Sequence, residues 1–114
     1  MDEPLVSLLG TRLTVGDASW EVAHTISQAF LVDSKVVVLY DPDAYRETFG
    51  QFPNLIAFSV SGEKLWTAAL PTNESGDRYY RAYLRDGLMA DSMKSFACHI
   101  DKSSGRILSK VFYR

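Results

Sequence analysis

The stretch Asn54-Leu-Ile-Ala-Phe-Ser-Val-Ser-Gly-Glu-Lys-Leu-Trp66 decides the reading of this chain. It is an apolar strand, a tight turn at Ser61-Gly62, and a second strand that closes on an aromatic residue. Side chains alternate across a strand, so Ile56, Phe58 and Val60 share one face. Gly62 supplies the positive φ of a short hairpin connection. Trp66 then offers a large apolar surface to a neighbouring sheet.

Upstream, the same grammar recurs. Pro4–Leu9 reads as an irregular apolar lead-in and Thr11–Val15 as a first strand. Gly16-Asp17 marks a turn, and Trp20–Ile26 and Gln28–Val32 continue as strands. Val36, Val37, Val38 and Leu39 are consecutive apolar residues. Such a run needs burial on both faces, which places Val36–Tyr40 centrally in a sheet. Asp41–Pro53 then interrupts the strands. Asp41 can cap a helix, Pro42 suits its first position, Asp43 and Glu47 favour its positive end, and Gly50 can stop it. One short helix is therefore predicted in the loop around 42–50.

Downstream, Leu70–Asp77 is a polar loop suited to mobility. Tyr79–Arg85 alternates, with Tyr79, Arg81, Tyr83 and Arg85 on one side and Tyr80, Ala82 and Leu84 on the other. Asp86-Gly87 is a hairpin turn. Asp91–Lys94 reads as a polar break, and Phe96–Ile100 and Ile107–Tyr113 as the last strands. The expectation is a single all-β domain over 1–114, a twisted antiparallel meander of nine or ten short strands.

Composition bounds the function classes. The chain has 114 residues, 46% hydrophobic and 23% charged, with a net charge of −2. That is ordinary for one globular domain, and it offers no strong field toward nucleic acid or an anionic membrane. Cys98 is the sole cysteine, which excludes an intramolecular disulfide and suits a reducing compartment. Met1-Asp-Glu-Pro4 is acidic where a signal peptide would be basic, and no apolar run reaches the roughly 20 residues of a membrane span. Cytoplasm is the expected location.

Phe96–Leu108 echoes the deciding stretch. Gly62-Glu-Lys-Leu-Trp66 aligns with Gly105-Arg-Ile-Leu-Ser109, 43 positions on, a spacing within the range of propeller blades. With one residue added in the second turn, Ile56, Phe58 and Val60 correspond to Cys98, Ile100 and Lys102. Both segments resemble the Gly-x-hydrophobic-Leu-Trp hairpin of quinoprotein-type propeller repeats. The pattern from Trp20 to Phe112 also resembles small bacterial all-β proteins that often lie beside polymorphic toxin genes and look like immunity proteins. The resemblance rests on Val36–Tyr40, Asn54–Phe58, Gly62–Trp66 and Asp101–Phe112. Ser59 and Ser109 depart from the Asp and Trp of the propeller pattern, and no third repeat is expected. Two blade-like sheets cannot close a ring, so they pack on each other or on another chain.

Candidate chemistry is sparse. Cys98 and His99 are neighbours on a strand and point to opposite faces, so Cys98 reads as a small buried hydrophobe. His24 and His99 lack the further ligands of a zinc site. Asp41, Asp43 and Glu47 sit on a polar loop, which favours capping over acid–base work. No catalytic residue, metal or cofactor is expected.

Tyr79, Arg81, Tyr83 and Arg85 carry the residue types of interface anchors, or else form a solvated face with cation–π contacts. Asp41, Asp43, Glu47, Glu74 and Asp77 are the second contact set, suited to a basic cleft, or else ordinary soluble loops. The resemblance implies a non-catalytic domain that binds and neutralises a cognate protein toxin, as a monomer or weak homo-oligomer, without nucleic acid or membrane. The alternative is a propeller fragment that self-associates as a structural module. As a test of the deciding stretch, Phe58→Ala is expected to cost about 3–5 kcal/mol in urea unfolding, the cost of emptying a core position.

Overall fold

The computed structural model describes residues 3–45 and 50–113. They form eleven antiparallel strands in three sheets, none closed into a barrel. The first sheet is β1 (Val6–Leu9), β2 (Arg12–Val15) and β3 (Ala18–Glu21). The second is β4 (Ile26–Val32), β5 (Lys35–Tyr40), β6 (Leu55–Ser59) and β7 (Lys64–Thr67). The third is β8 (Tyr79–Leu84), β9 (Leu88–Ser92), β10 (Phe96–Ile100) and β11 (Ile107–Phe112). Within each sheet the strands lie in chain order, as a meander requires.

The architecture is thus all-β, as expected, with one sheet more than the two expected. Pro4–Leu9 is not an irregular lead-in: Val6–Leu9 pairs with Arg12–Val15 from Val6↔Val15 to Leu9↔Arg12. The predicted helix is also corrected. The described residues contain no helix, and Asp41–Tyr45 is a turn. Asp41 Oδ1 accepts the Asp43 N–H at 2.9 Å, and the Asp41 carbonyl accepts the Ala44 N–H. The aspartate closes a local turn with the groups that would otherwise have capped a helix. Glu47 and the rest of that prediction lie outside the described residues.

Burial explains the order of the sheets. The second sheet lies between the other two. On one side Val36, Val38, Tyr40, Ile56 and Phe58 pack with Leu13 and Val15 of the first sheet. On the other, Val37, Leu39, Leu55, Ala57 and Trp66 pack with Tyr79, Ala82, Leu88, Ala90, Cys98 and Ile100 of the third. Val36–Tyr40 is buried throughout, so the unbroken apolar run is a strand covered on both faces.

The echo is real in space, and it has a third member. Ile56 and Phe58 face the preceding sheet, and Cys98 and Ile100, their counterparts, do the same. The Trp66 ring lies on Gly105, where a Cβ would come within 2.6 Å of it, and its Nε1 donates to the Lys102 carbonyl at 2.9 Å. Trp20 of β3 lies on Gly62 in the same manner, with a Cβ position 3.0 Å from its ring. Gly16-Asp-Ala-Ser-Trp20 is therefore the first of three repeats. In each full step a tryptophan on the last strand of one sheet covers the turn glycine of the next. The Trp20 Nε1 is buried without a partner, which distinguishes it from Trp66.

Two side-chain amides join the later sheets. Asn54, fully buried, donates from Nδ2 to the carbonyls of Tyr40 (3.0 Å) and Tyr79 (2.7 Å) and accepts the Tyr79 N–H at 2.8 Å. Gln28 of β4 both donates to the Ala82 carbonyl and accepts its N–H, each at 2.9 Å. Asn54→Ala is expected to cost about 3 kcal/mol, because it orphans buried backbone groups. Gly105→Ala, at φ +78 and against the indole, is expected to cost about 2 kcal/mol. Urea midpoints equal to the parent protein would contradict both.

Candidate functional site

The third sheet has one face on the core and one turned away. The outward face follows from strand register. Arg81, Asp91, Ala97 and Val111 pair across successive strands, and so do Tyr83, Met89, His99 and Ser109. Laterally paired residues share a face. Their neighbours Ala82, Ala90 and Cys98 are buried in the core.

At the centre of this face lies Asp91, whose side chain is 5% exposed. Its Oδ2 accepts from Arg81 Nε at 2.5 Å, and its Oδ1 accepts from the Tyr83 hydroxyl at 3.1 Å. The Arg81 guanidinium also lies over the Tyr83 ring, 4.7 Å from its centre, and Arg85 approaches the same ring at 6.0 Å. Tyr80 and Tyr113 share a hydrogen bond between hydroxyls at 2.6 Å. Tyr80, Arg81, Tyr83, Asp91, Ala97 and Tyr113 line a shallow recess of about 220 Å³. Arg81 is held in its charged form by the Asp91 carboxylate, through the hydrogen bond first and the charge second. Burial raises the Tyr83 phenol, and the nearby Asp91 charge adds to that. Burial raises Tyr113 as well, followed by its bond to Tyr80.

The sequence-predicted contact residues separate into two groups. Arg81, Tyr83 and Arg85 stand together on the outward face, as alternation implied. Tyr79 does not join them: it is fully buried and its hydroxyl donates to the Ala69 carbonyl. The cause is a register shift between Tyr79 and Arg81, after which Tyr80 takes the outward place. A bulge adds one residue and reverses the faces before it. Asp77 is also withdrawn from the contact set. It is fully buried, with Oδ2 accepting from the Thr72 hydroxyl at 2.7 Å and Oδ1 without a partner. Asp43 and Glu74 are exposed on loops and Asp41 is half-buried.

The two long loops are tied to each other. Gln51 Nε2 donates to the Thr72 and Glu74 carbonyls, the Phe52 N–H reaches the Asp77 carbonyl, and Arg78 donates to the carbonyls of Pro42 and Tyr45. The 70–77 segment, read as suited to mobility, is thus pinned at Thr72 and Asp77. Asp91 was missed as a site residue because it reads as part of a polar break. Counting outward from Asp86-Gly87 places it opposite Arg81, a signal the sequence does contain.

Other candidate chemistry disperses. His99 points outward over Gly87 while Cys98 is buried. His24 packs edge-on against Tyr40 and Phe52. Among the described residues no three His, Cys, Asp or Glu side chains gather as a metal site requires, and no helix is long and apolar enough to cross a membrane.

An open stack of three blade-like antiparallel sheets, with an arginine–tyrosine face at one end, is the class of domain these observations define. Residues 4–112 match the family described as a domain of unknown function, DUF7957, and the chain belongs to that family. No curated protein and no solved structure matches the chain.

The tyrosines carry a pH dependence. Burial raises Tyr79 strongly and Tyr40 more modestly, alongside Tyr83 and Tyr113. In the unfolded chain a phenol ionises near pH 10. Stability from these neutral phenols is therefore complete below about pH 10 and is lost as pH rises beyond it. Phenolate absorbance is expected to show these four tyrosines ionising above the ordinary range and together with unfolding. Ionisation of these four at about pH 10 with the fold intact would contradict this.

Proposed function

We propose that this domain is a non-catalytic protein-binding module of the immunity type, which binds a cognate bacterial toxin and blocks it. The observation that carries the reading is the double hold of Asp91 on Arg81 and Tyr83. Arginine and tyrosine dominate binding hot spots because they bring large contact area and directed donors. Here both are oriented before any partner arrives, so less side-chain freedom is lost on binding. Arg81 remains 60% exposed at its side chain, which leaves its outer nitrogens for a partner carboxylate or carbonyl. Tyr80, Tyr113 and Arg85 extend the patch. The exposed acids Asp43 and Glu74, with Asp41, would add orientation and encounter rate rather than affinity.

The toxin identity of the partner rests on the resemblance of Val36–Tyr40, Gly62–Trp66 and Asp101–Phe112 to immunity-type proteins. The test is titration calorimetry against the product of an adjacent toxin gene. Parent protein is expected to bind one-to-one. Arg81→Lys combined with Tyr83→Phe, which keeps a cation beside the buried Asp91 carboxylate, is expected to weaken binding by about tenfold or more while circular dichroism is unchanged. Undiminished affinity of the double variant would place the contact elsewhere. A neighbourhood of metabolic genes, with no secreted toxin, would remove the toxin from the proposal.

A further inference from the structure

The stack offers two ways to grow: face onto face, or edge onto edge. The faces are stopped. At the first sheet, Pro4 sits on the Gly16 turn, with its Cβ 3.2 Å from where a Gly16 Cβ would be, the place a preceding tryptophan would occupy. At the third sheet, Ser109 stands where Trp20 and Trp66 stand in theirs, so nothing reaches for a following turn.

Most edges are also managed. β1, β3 and β7 have four residues each. The edge of β8 is met at Ala82 by Gln28, and β4 begins with its Ile26 N–H on the Gly10 carbonyl. β11 differs. It is six residues long and lies at the edge of the third sheet, with Leu108, Val111 and Phe112 each more than half exposed. Its one charge, Lys110, does not guard that edge. The ammonium folds back to the Pro71 carbonyl at 2.7 Å and lies over the Phe96 ring. Long apolar edges without a gatekeeper are templates for another strand.

Register selects the occupant. The Tyr113 N–H bonds to the Ser95 carbonyl, and backbone groups alternate in direction along a strand. Ser109, Val111 and Tyr113 therefore bond toward β10, while Lys110 and Phe112 turn their N–H and C=O groups outward. A two-fold antiparallel pairing of β11 with itself can use these outward groups by placing Lys110 opposite Phe112 of the other copy. Val111 then meets Val111 on the axis, at the close spacing of a non-hydrogen-bonded pair. This register sets the aliphatic stem of Lys110 beside Phe112 of the other copy and brings no like charges against each other. The register centred on Lys110 would instead set the two lysine side chains directly opposite each other.

We propose that β11 is a homodimerisation edge, and that a second copy of this chain pairs with it antiparallel about Val111. The dimer has one continuous sheet built from both third sheets, and its two Asp91–Arg81–Tyr83 faces lie on the same side. This inference is independent of the toxin reading.

Sedimentation equilibrium over a concentration series tests it, together with position-specific cross-linking. Parent protein is expected to show a monomer–dimer equilibrium. Val111→Lys is expected to weaken it by about tenfold or more, with the circular dichroism and urea midpoint of the monomer unchanged. Val111→Cys is expected to oxidise to a covalent dimer, since paired residues on the axis lie within disulfide reach. Phe112→Cys is expected not to, because the register keeps the two copies of position 112 apart. Cys98 is buried and does not compete. Arg81→Lys with Tyr83→Phe should leave the dimer intact, which separates this proposal from the binding face. A monomeric mass at every concentration, or equal cross-linking from positions 111 and 112, would overturn it.

Discussion

Asn54 gives both protons of its side-chain amide to backbone carbonyls, of Tyr40 and of Tyr79, and takes the Tyr79 N–H on its oxygen. The amide thereby acts as a short length of strand between β5 and the start of β8. A carboxylate would lack the donors, and an aliphatic residue would leave three buried backbone groups without partners. The contact sets where the third sheet begins relative to the second. From that start Tyr79 turns inward, the bulge at Tyr80 turns the following residues, and Arg81 reaches the outward face. Gln28 repeats the device two turns of the pleat further along, at Ala82. Together the two amides let sheets stack without a hydrogen-bonded ladder between them.

Much of this architecture was legible because burial and backbone demands are local. Four apolar residues in succession at Val36–Leu39 can only be a strand covered twice. Gly62 and Gly105 repeat because each must lie under an indole. The first repeat was missed because Gly16-Asp-Ala-Ser-Trp20 keeps the glycine–tryptophan spacing but not the leucine before the tryptophan. The contact needs only the two end residues; Leu65 and Leu108, the leucines of the other two repeats, are themselves exposed. The helix start expected at Asp41–Tyr45 failed for a different reason. Asp41-Pro-Asp43 is equally good chemistry for a turn, and the choice between turn and helix depends on whether apolar periodicity follows.

The arginine–tyrosine face was half legible. Arg81, Tyr83 and Arg85 follow from period-two alternation, which held from Arg81 onward. Tyr79 did not, since a bulge is a property of paired strands and leaves no mark on one strand alone. Asp77 reads as a surface acid and Asp91 as part of a polar break, yet both are buried. One is buried in a loop junction with Thr72 and the other is buried as the anchor of an arginine and a tyrosine. Polarity reports what a side chain can do and not where the chain will carry it.

The second sheet has no solvent face of its own, and the chain is made in one direction. After β7 leaves the ribosome, the first sheet can cover Val36, Val38, Ile56 and Phe58 at once. Val37, Leu39, Leu55, Ala57 and Trp66 have no cover until residues as distant as Ile100 have been added. For that interval the nascent domain carries a bare apolar wall made of regular strands. Synthesis pausing there, or truncation near Leu70, would leave a half-built protein prone to aggregate and in need of a chaperone.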